Sequence, residues 1–153
     1  MIRRAQKKDI PSVMNLLEQV MAVHHVLRPD LFPSEGTKYS CGEMEEIFSS
    51  EDTPVFVWDE GGKVLGYIFC QIKNHLNINE MPHKTLYIDD LCVDACARGR
   101  HIGRELFLFA KDFARREGCY NITLHVWEGN SAAKGFYDSL GMKAQYTSLE
   151  TIV

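Results

Sequence analysis

A run of arginines and glycines in the middle of the chain has the composition of a phosphate-binding loop. It lies between a strand-like and a helix-like segment and reads Arg98, Gly99, Arg100, His101, Ile102, Gly103, Arg104. The first turn of a helix exposes unpaired N–H groups and carries about half a positive charge. Glycines let a phosphate approach the backbone, and arginines add forked donors. The spacing predicts a pyrophosphate site, although it matches neither the Walker pattern nor Gly-x-Gly-x-x-Gly. A solvated basic helix start is the alternative.

Two adjacent carboxylates, Asp89 and Asp90, stand inside an apolar strand-like segment, where acidic side chains are disfavoured. Side chains alternate between the two faces of a strand, so we expect them to point to opposite faces unless a bulge alters the alternation. Either carboxylate could act as a general base, and His125 on the next predicted strand is the competing candidate. If they have no catalytic role, the carboxylates form a structural ion pair and His125 is a packed histidine.

A third segment combines small residues with two aromatic residues on a short predicted helix. Its notable members are Asn130, Ala133, Phe136 and Tyr137. The residues alone favour helix packing with a half-buried tyrosine. A tyrosine phenol is also protonated at neutral pH and can therefore act as a donor.

The elements that must position these groups follow from hydrophobic periodicity and turn residues. In order, we predict a strand at Ile2–Ala5, a helix capped by Asp9, a loop at His24–Tyr39, a helix at Ser40–Ser49, a hairpin of Pro54–Trp58 and Lys63–Ile72, a loop at Asn74–His83, a strand at Leu86–Val93, a helix from Ile102 to near Gly118, a strand at Tyr120–Trp127, a short helix capped by Ser131, and a terminal strand at Gln145–Val153. This alternation predicts one α/β domain, residues 1–153, with a mixed sheet.

Composition narrows the class of protein. The 153 residues are 45% hydrophobic and 25% charged, which is typical of one globular domain. No apolar run approaches the ~20 residues that a membrane span needs, and the first residues do not form a secretory signal. Five cysteines without a Cys-x-x-Cys pair predict reduced thiols, a cytoplasmic location and no metal site. The net charge of −4 disfavours a nucleic-acid partner and suits a cationic substrate.

The loop and the later helix together resemble the GNAT superfamily of acetyl-CoA-dependent N-acetyltransferases. That family's pyrophosphate loop reads Gln/Arg-x-x-Gly-x-Gly/Ala, and this chain has Arg98-Gly99-Arg100-His101-Ile102-Gly103, with His101 replacing the first glycine. The family's later motif reads Asn-x-x-Ala-x-x-x-Tyr, and this chain has Asn130, Ala133 and Tyr137, with Phe136 before the tyrosine. The match is densest from Leu86 to Met142.

The resemblance implies a mostly antiparallel central sheet flanked by helices, and acetyl transfer from acetyl-CoA directly to a primary amine without a metal. It assigns backbone pairing with the pantetheine arm to Leu91, Cys92 and Val93, and the pyrophosphate to Arg98–Arg104. It further implies that Asn130 bonds the arm, that Ala133 and Phe136 pack near it, and that Tyr137 is the general acid beside the thioester sulfur.

Several alternatives stay open at this point. The base is Asp89, Asp90 or His125, and the His101 imidazole either contacts a phosphate or points away. The acceptor is a small cationic amine or an amino group of a peptide or protein. A non-catalytic acyl-CoA sensor or regulatory module is the competing function, and dimers are common in the family, so a homodimer is an option.

Overall fold

The structure follows the strand and helix periods of the sequence. It is a computed structural model and describes residues 1–153. The strands are β1 (Ile2–Arg4), β2 (Val55–Glu60), β3 (Lys63–His75), β4 (His83–Val93) and β5 (Asn121–Thr123). The helices are α1 (Ile10–Leu27), α2 (Cys41–Ser49), α3 (Ile102–Arg116) and α4 (Ser131–Ser139).

The five strands form one sheet in the order β1-β2-β3-β4-β5. All neighbouring strands are antiparallel except β4 and β5, which are parallel. The predicted hairpin is confirmed, because Glu60 pairs with Lys63 across a turn of Gly61 and Gly62. Both glycines have positive φ angles (62° and 92°), as a two-residue hairpin turn requires. The expected mixed α/β fold with a mostly antiparallel sheet is therefore confirmed.

The two faces of the sheet are covered by different helices. On β3, Tyr67 and Phe69 join the core beneath α1 and α2, whereas Ile68 and Cys70 join the core beneath α3. This alternation is the period of two that separates the faces of a strand. Met44 of α2 is fully buried in the first core. No helix has the length and apolar character of a membrane-spanning segment.

The start of α1 differs from the predicted cap. Asp9 precedes the helix but makes no side-chain capping bond to it. Its carboxylate instead accepts two hydrogen bonds from the Arg3 guanidinium, at 2.7 and 2.9 Å, and is almost fully buried. Arg3 also donates to Asp59 at 2.8 Å. The carboxylate therefore ties β1 to the beginning of α1 and, through Arg3, to β2.

Replacing Asp9 by Asn should lower the free energy of unfolding by about 1.5–3 kcal/mol at neutral pH, the range for hydrogen bonds to charged groups. The Arg3 guanidinium holds the pKa of Asp9 below its usual value of 3.8. A lowered carboxyl pKa stabilises the fold above that value, so the difference should shrink as the pH falls below about 4.

Urea unfolding of both proteins at several pH values measures this difference. Asp138→Asn is the control, because its exposed pair with Lys134 should contribute only about 0.3–0.5 kcal/mol. Equal losses for the two substitutions at neutral pH would contradict the assigned role of Asp9.

Several boundaries of helices and strands differ from those predicted. α1 continues through Leu27 instead of giving way to a loop at His24, and it stops where Pro29 forces Arg28 out of the helical region. The β3–β4 ladder extends to the pair His75 and His83, so both ends of the predicted loop belong to strands. α4 is capped by Asn130 rather than by Ser131.

The end of the sheet departs most from the sequence pattern. β5 covers only Asn121–Thr123 rather than Tyr120–Trp127, and Gln145–Val153 is not a strand. The last segment instead makes side-chain contacts, with Tyr146 bonded to His125 and Glu150 paired with Arg28. The β4–β5 ladder has already ended at this point. No continuous strand is therefore available with which the terminal segment could pair.

Candidate active site

β4 and β5 pair at their beginnings and then separate. Their ladder has three pairs, of which the last joins Tyr87 to Thr123. β4 continues to Val93 with β3 as its only strand partner. The predicted pairing residues Leu91, Cys92 and Val93 lie on this stretch. An unpaired strand edge of this kind can accept an extended chain as an additional strand.

A β-bulge determines where the two adjacent carboxylates point. Phe69 pairs with Asp90 and Cys70 pairs with Ile88, which leaves Asp89 as an extra residue in β4. Asp89 then accepts a hydrogen bond from Tyr39, and Asp90 accepts one from Tyr67. Both phenols belong to the layer of α1 and α2. The two carboxylates therefore do not point to opposite faces, because the bulge that was the stated exception inserts one residue into the alternation.

The Asp89 carboxylate is committed to two neighbours. Besides the Tyr39 hydroxyl, it pairs with the Lys38 ammonium at 2.8 Å, and its side chain is only 11% exposed. Burial raises the pKa of the Tyr39 phenol, and the hydrogen bond to Asp89 adds to that increase. Tyr39 is therefore a protonated donor to Asp89, and Lys38 places a positive charge beside the same carboxylate.

The Asp90 carboxylate has a different environment. Burial raises its pKa to about 6, against the opposing effect of the hydrogen bond that Tyr67 donates at 2.8 Å. Such a group is mostly ionised at neutral pH and is still a stronger base than an ordinary carboxylate. Of the two predicted carboxylates, Asp90 has the protonation behaviour that suits a general base.

His125 lies beyond the end of β5 and is held between two phenols. Its Nδ1 is 3.1 Å from the Tyr87 hydroxyl and its Nε2 is 2.8 Å from the Tyr146 hydroxyl. Burial raises the pKa of the Tyr87 phenol, and the charge of Asp89 adds to this effect. Tyr87 therefore contacts His125, and its phenol also feels the charges of Asp89 and Asp90.

The arginine–glycine loop turns sharply into α3. Gly99 and His101 both have positive φ angles, 78° and 61°. His101 occupies the position before the helix, and its exposed side chain makes no capping bond. Ile102 is 1% exposed and anchors the first turn in the core. The N–H groups at the start of α3 are therefore not used by a cap and can receive an anion.

The arginines of this loop have unequal partners. Arg98 Nε lies 3.4 Å from the Val93 carbonyl oxygen, and Arg100 forms an exposed ion pair with Glu60. Arg104 makes no side-chain hydrogen bond or ion pair within the chain. An exposed pair such as that of Arg100 contributes little stability, so an anion can displace Glu60 at low cost.

Gly103 joins the two predicted motifs in space. A Cβ atom at this position would lie 3.3 Å from Phe136 Cζ and 3.5 Å from Val93 Cγ2. The missing side chain lets α4 and β4 approach the start of α3. Asn130 stabilises the beginning of α4, because its Oδ1 accepts a hydrogen bond from the N–H of half-buried Ala133 at 3.1 Å.

Tyr137 of α4 packs against Phe136 and Phe107, with ring centroids 5.0 and 6.4 Å away. Burial raises the pKa of its phenol, and the Asp90 carboxylate adds to the increase. Its hydroxyl makes no hydrogen bond within the chain. Tyr137 is thus a protonated, neutral phenol whose hydroxyl is free to donate, and the Asp90 charge disfavours its ionisation.

Four tyrosines of the site were not predicted from the sequence. Tyr67 lies in an apolar strand and is fully buried, so the sequence does not distinguish it from an ordinary core residue. Its hydroxyl donates a hydrogen bond to Asp90 because β3 and β4 pair in a bulged register. The spacing of residues in the sequence does not reveal that register. Tyr39, Tyr87 and Tyr146 come from a loop, β4 and the terminal segment, so only the fold brings them to the carboxylates and His125.

Comparisons with known proteins identify the family of the chain. The acetyltransferase (GNAT) family model matches residues 18–142. The thialysine N-epsilon-acetyltransferase of Bos taurus is 26% identical over 151 residues, covering 92% of this chain and 82% of that protein. The chloroplastic GCN5-related N-acetyltransferase 6 of Arabidopsis thaliana is 34% identical over 83 residues, 54% of this chain, and the match spans only 27% of the plant protein.

Solved structures extend the comparison to the whole fold. A mutant of the BH1408 protein from Bacillus halodurans superposes with a TM-score of 0.95 at 32% sequence identity, covering 100% of this chain and 99% of that chain. The match of the family model over most of the chain, together with this agreement, decides the classification. The protein is an enzyme of the GNAT acetyltransferase family.

Proposed function

We propose that the protein transfers an acetyl group from acetyl-CoA to a primary amine, with Asp90 as the general base and Tyr137 as the general acid. The observation that carries this proposal is the free edge of β4 beside the start of α3, with Asp90, a carboxylate of raised pKa, on the same strand and the unbonded phenol of Tyr137 on α4. Membership of the GNAT family supports the reaction class.

The residues present fit acetyl-CoA. The start of α3, with its free N–H groups and the side chains of Arg98 and Arg104, would hold the diphosphate. The free edge of β4 at Leu91–Val93 would pair with the amide groups of the pantetheine arm. When bound there, acetyl-CoA supplies an activated acetyl group as a thioester.

The acceptor must lose a proton before its nitrogen can attack. A lysine-like amine has a pKa of about 10.4, so neutralising it at pH 7 costs about 4.6 kcal/mol. Asp90 can receive this proton directly or through a water molecule. The neighbouring Asp89 carboxylate, which Lys38 and Tyr39 contact, favours the approach of a cationic amine.

The departing sulfur needs a donor, and Tyr137 can provide one. Because its pKa is raised, the phenol remains protonated at neutral pH and donates a hydrogen bond to the developing thiolate. No other hydrogen bond within the chain must be broken for this contact. Two different protons are involved: the amine proton passes to Asp90 and from there to solvent, while the Tyr137 phenol gives its own proton to the sulfur and regains one from solvent.

A small cationic amine is the acceptor class that the site favours. Two carboxylates and the hydroxyls of Tyr39 and Tyr87 line one neighbourhood, which suits an ammonium group. The bovine relative that carries the name of a thialysine acetyltransferase supports a lysine-like amine. An amino group of a peptide is the second class to test.

Incubation with acetyl-CoA and a panel of polyamines, lysine analogues, aminoglycosides and peptides tests the proposal. Mass spectrometry of the product avoids interference from the five cysteines of the protein. We expect one acetyl group on an amino nitrogen of at least one cationic amine. Coenzyme binding without any acetylated amine would instead identify a non-catalytic acyl-CoA-binding module.

The left-handed conformation of His101 gives a prediction about the coenzyme loop. Glycine adopts a φ of 61° without strain, whereas a β-branched residue does so at a cost of about 1–2 kcal/mol. His101→Gly should therefore keep the affinity for coenzyme A, and His101→Val should weaken it about tenfold by distorting the start of α3. Calorimetric titration measures both affinities, and equal binding by the two variants would show that this backbone turn is not needed.

A further inference from the structure

Two histidines and a glutamate come together at the far end of the β3–β4 hairpin. His75 ends β3, His83 begins β4, and the two residues pair directly across the ladder. Their imidazole rings stack with centroids 4.3 Å apart and planes 8° from parallel. Glu80 lies in the connecting loop, and one ligand atom from each of the three side chains lies within 4.8 Å of the others.

These side chains are a recognised donor set for a metal ion. Two imidazole nitrogens and a carboxylate oxygen bind Zn²⁺, with the fourth tetrahedral position left to water. Cobalt, nickel and copper ions bind similar ligands. The ligand atoms lie within 4.8 Å of one another, so small side-chain rotations can bring them to about 2.0–2.2 Å from an ion, the distance that zinc ligands require. Glu80 is exposed and the histidines are half-buried, which leaves room for such rotations.

A hydrogen bond orients the His83 ring. Its Nδ1 lies 2.8 Å from the backbone carbonyl oxygen of Met81. A carbonyl oxygen can only accept, so Nδ1 is the donor, and in the neutral imidazole Nε2 is the nitrogen with the free lone pair. Ligand histidines in metal sites are oriented by the same kind of hydrogen bond from the other ring nitrogen. The cluster therefore includes one of the supporting contacts that metal sites use.

This cluster is separate from the proposed acetyltransferase site. His83 and Asp90 are seven residues apart on the same strand, which corresponds to ~23 Å at about 3.3 Å per residue. An ion there would take no part in acetyl transfer. It would instead join the ends of β3 and β4 to the loop 76–82, where Leu76, Ile78 and Met81 are exposed.

We propose that His75, Glu80 and His83 bind one divalent transition-metal ion of the zinc class, which clips the β3–β4 loop to the ends of its two strands. Binding of the ion breaks no covalent bond. It requires neutral imidazoles, so protons compete with the ion and the affinity for the ion falls at acidic pH. The sequence gives little indication of this site, since the ligands stand in no common zinc spacing and only the ladder brings the histidines together.

The test uses protein without a polyhistidine tag, freed of metal by a chelator and titrated calorimetrically with Zn²⁺. A parallel titration with Co²⁺ follows the visible absorption bands that report a tetrahedral site. We expect one ion per chain. His75→Asn, His83→Asn and Glu80→Gln should each weaken binding at least about tenfold, the lower end of the effect of losing even an outer-shell partner.

Two controls keep the test specific. His101→Asn removes an exposed histidine elsewhere, and Glu35→Gln removes an exposed loop carboxylate, so both should bind the ion as the wild type does. Glu80→Gln changes only an exposed side chain, so it remains informative if a histidine variant fails to fold. No binding at millimolar Zn²⁺, or equal binding by Glu80→Gln and wild type, would overturn the proposal. The readout is metal binding, so neither result depends on acetyl transfer.

Discussion

Replacing Asp90 by Asn is expected to lower kcat by about 10²–10⁴-fold, the usual contribution of a general base. Asparagine keeps the size of the side chain and can still accept the Tyr67 hydrogen bond, but it cannot take a proton from the amine. The pKa of Asp90 is about 6, so the wild-type rate should rise with pH through this value as the carboxylate ionises. In the variant, that rise should disappear.

The pH dependence of kcat/KM for both proteins measures this effect, with the best amine from the substrate panel. Asp89→Asn is the matched control, because it removes a neighbouring carboxylate that Lys38 and Tyr39 already engage. We expect it to weaken binding of the amine while keeping the dependence near pH 6. If the wild-type dependence persists in Asp90→Asn and vanishes in Asp89→Asn or His125→Gln, the base has been assigned to the wrong residue.

Replacing Tyr137 by Phe should lower kcat about 10²-fold or more while leaving the affinity for coenzyme A nearly unchanged. The ring packs against Phe136 and Phe107, and phenylalanine preserves this packing. The hydroxyl makes no hydrogen bond within the chain, so its removal leaves no partner unsatisfied. The expected loss is thus confined to the donor for the leaving sulfur.

Single-turnover rates and calorimetric titration with coenzyme A separate these two effects. Tyr120→Phe is the control, since Tyr120 is 81% exposed and lies away from α4. A loss of coenzyme affinity as large as the loss of rate would mean that Tyr137 binds rather than catalyses. An unchanged rate would remove Tyr137 from the mechanism.

The loop that begins α3 was predictable because its chemistry is local. Glycine and arginine types at fixed spacing, between a strand and a helix, are sufficient to indicate an anion-binding helix start. The structure confirms that the helix begins at Ile102. The hairpin was predictable for the same reason, since two glycines at a turn fix its geometry. The packing of Phe136 against Gly103 needed the tertiary fold.

The orientation of the acidic pair was not predictable, because a bulge depends on the partner strand. The spacing of Asp89 and Asp90 alone indicates alternate faces, and the extra residue opposite Phe69 and Cys70 becomes visible only in the ladder. Without that register, the different environments of the two carboxylates could not be assigned. The pairing of Asp90 with Tyr67 was inaccessible for the same reason.

The prediction of a terminal strand was wrong because strand propensity is a property of a single segment. A β-ladder also needs a neighbouring strand with which that segment can pair. Residues 145–153 contain apolar and β-branched side chains, yet Leu149, Ile152 and Val153 are exposed. Their contacts are made by the side chains of Tyr146 and Glu150. The same early end of the β4–β5 ladder leaves the edge of β4 open, where we propose that the coenzyme pairs.

Calorimetric titration with coenzyme A tests most directly whether the start of α3 and the open edge of β4 form a coenzyme site. We predict saturable binding of one coenzyme molecule per chain, retained in Asp90→Asn and Tyr137→Phe and weakened in His101→Val. The absence of a heat of binding at millimolar coenzyme A, confirmed at a second temperature, would contradict it.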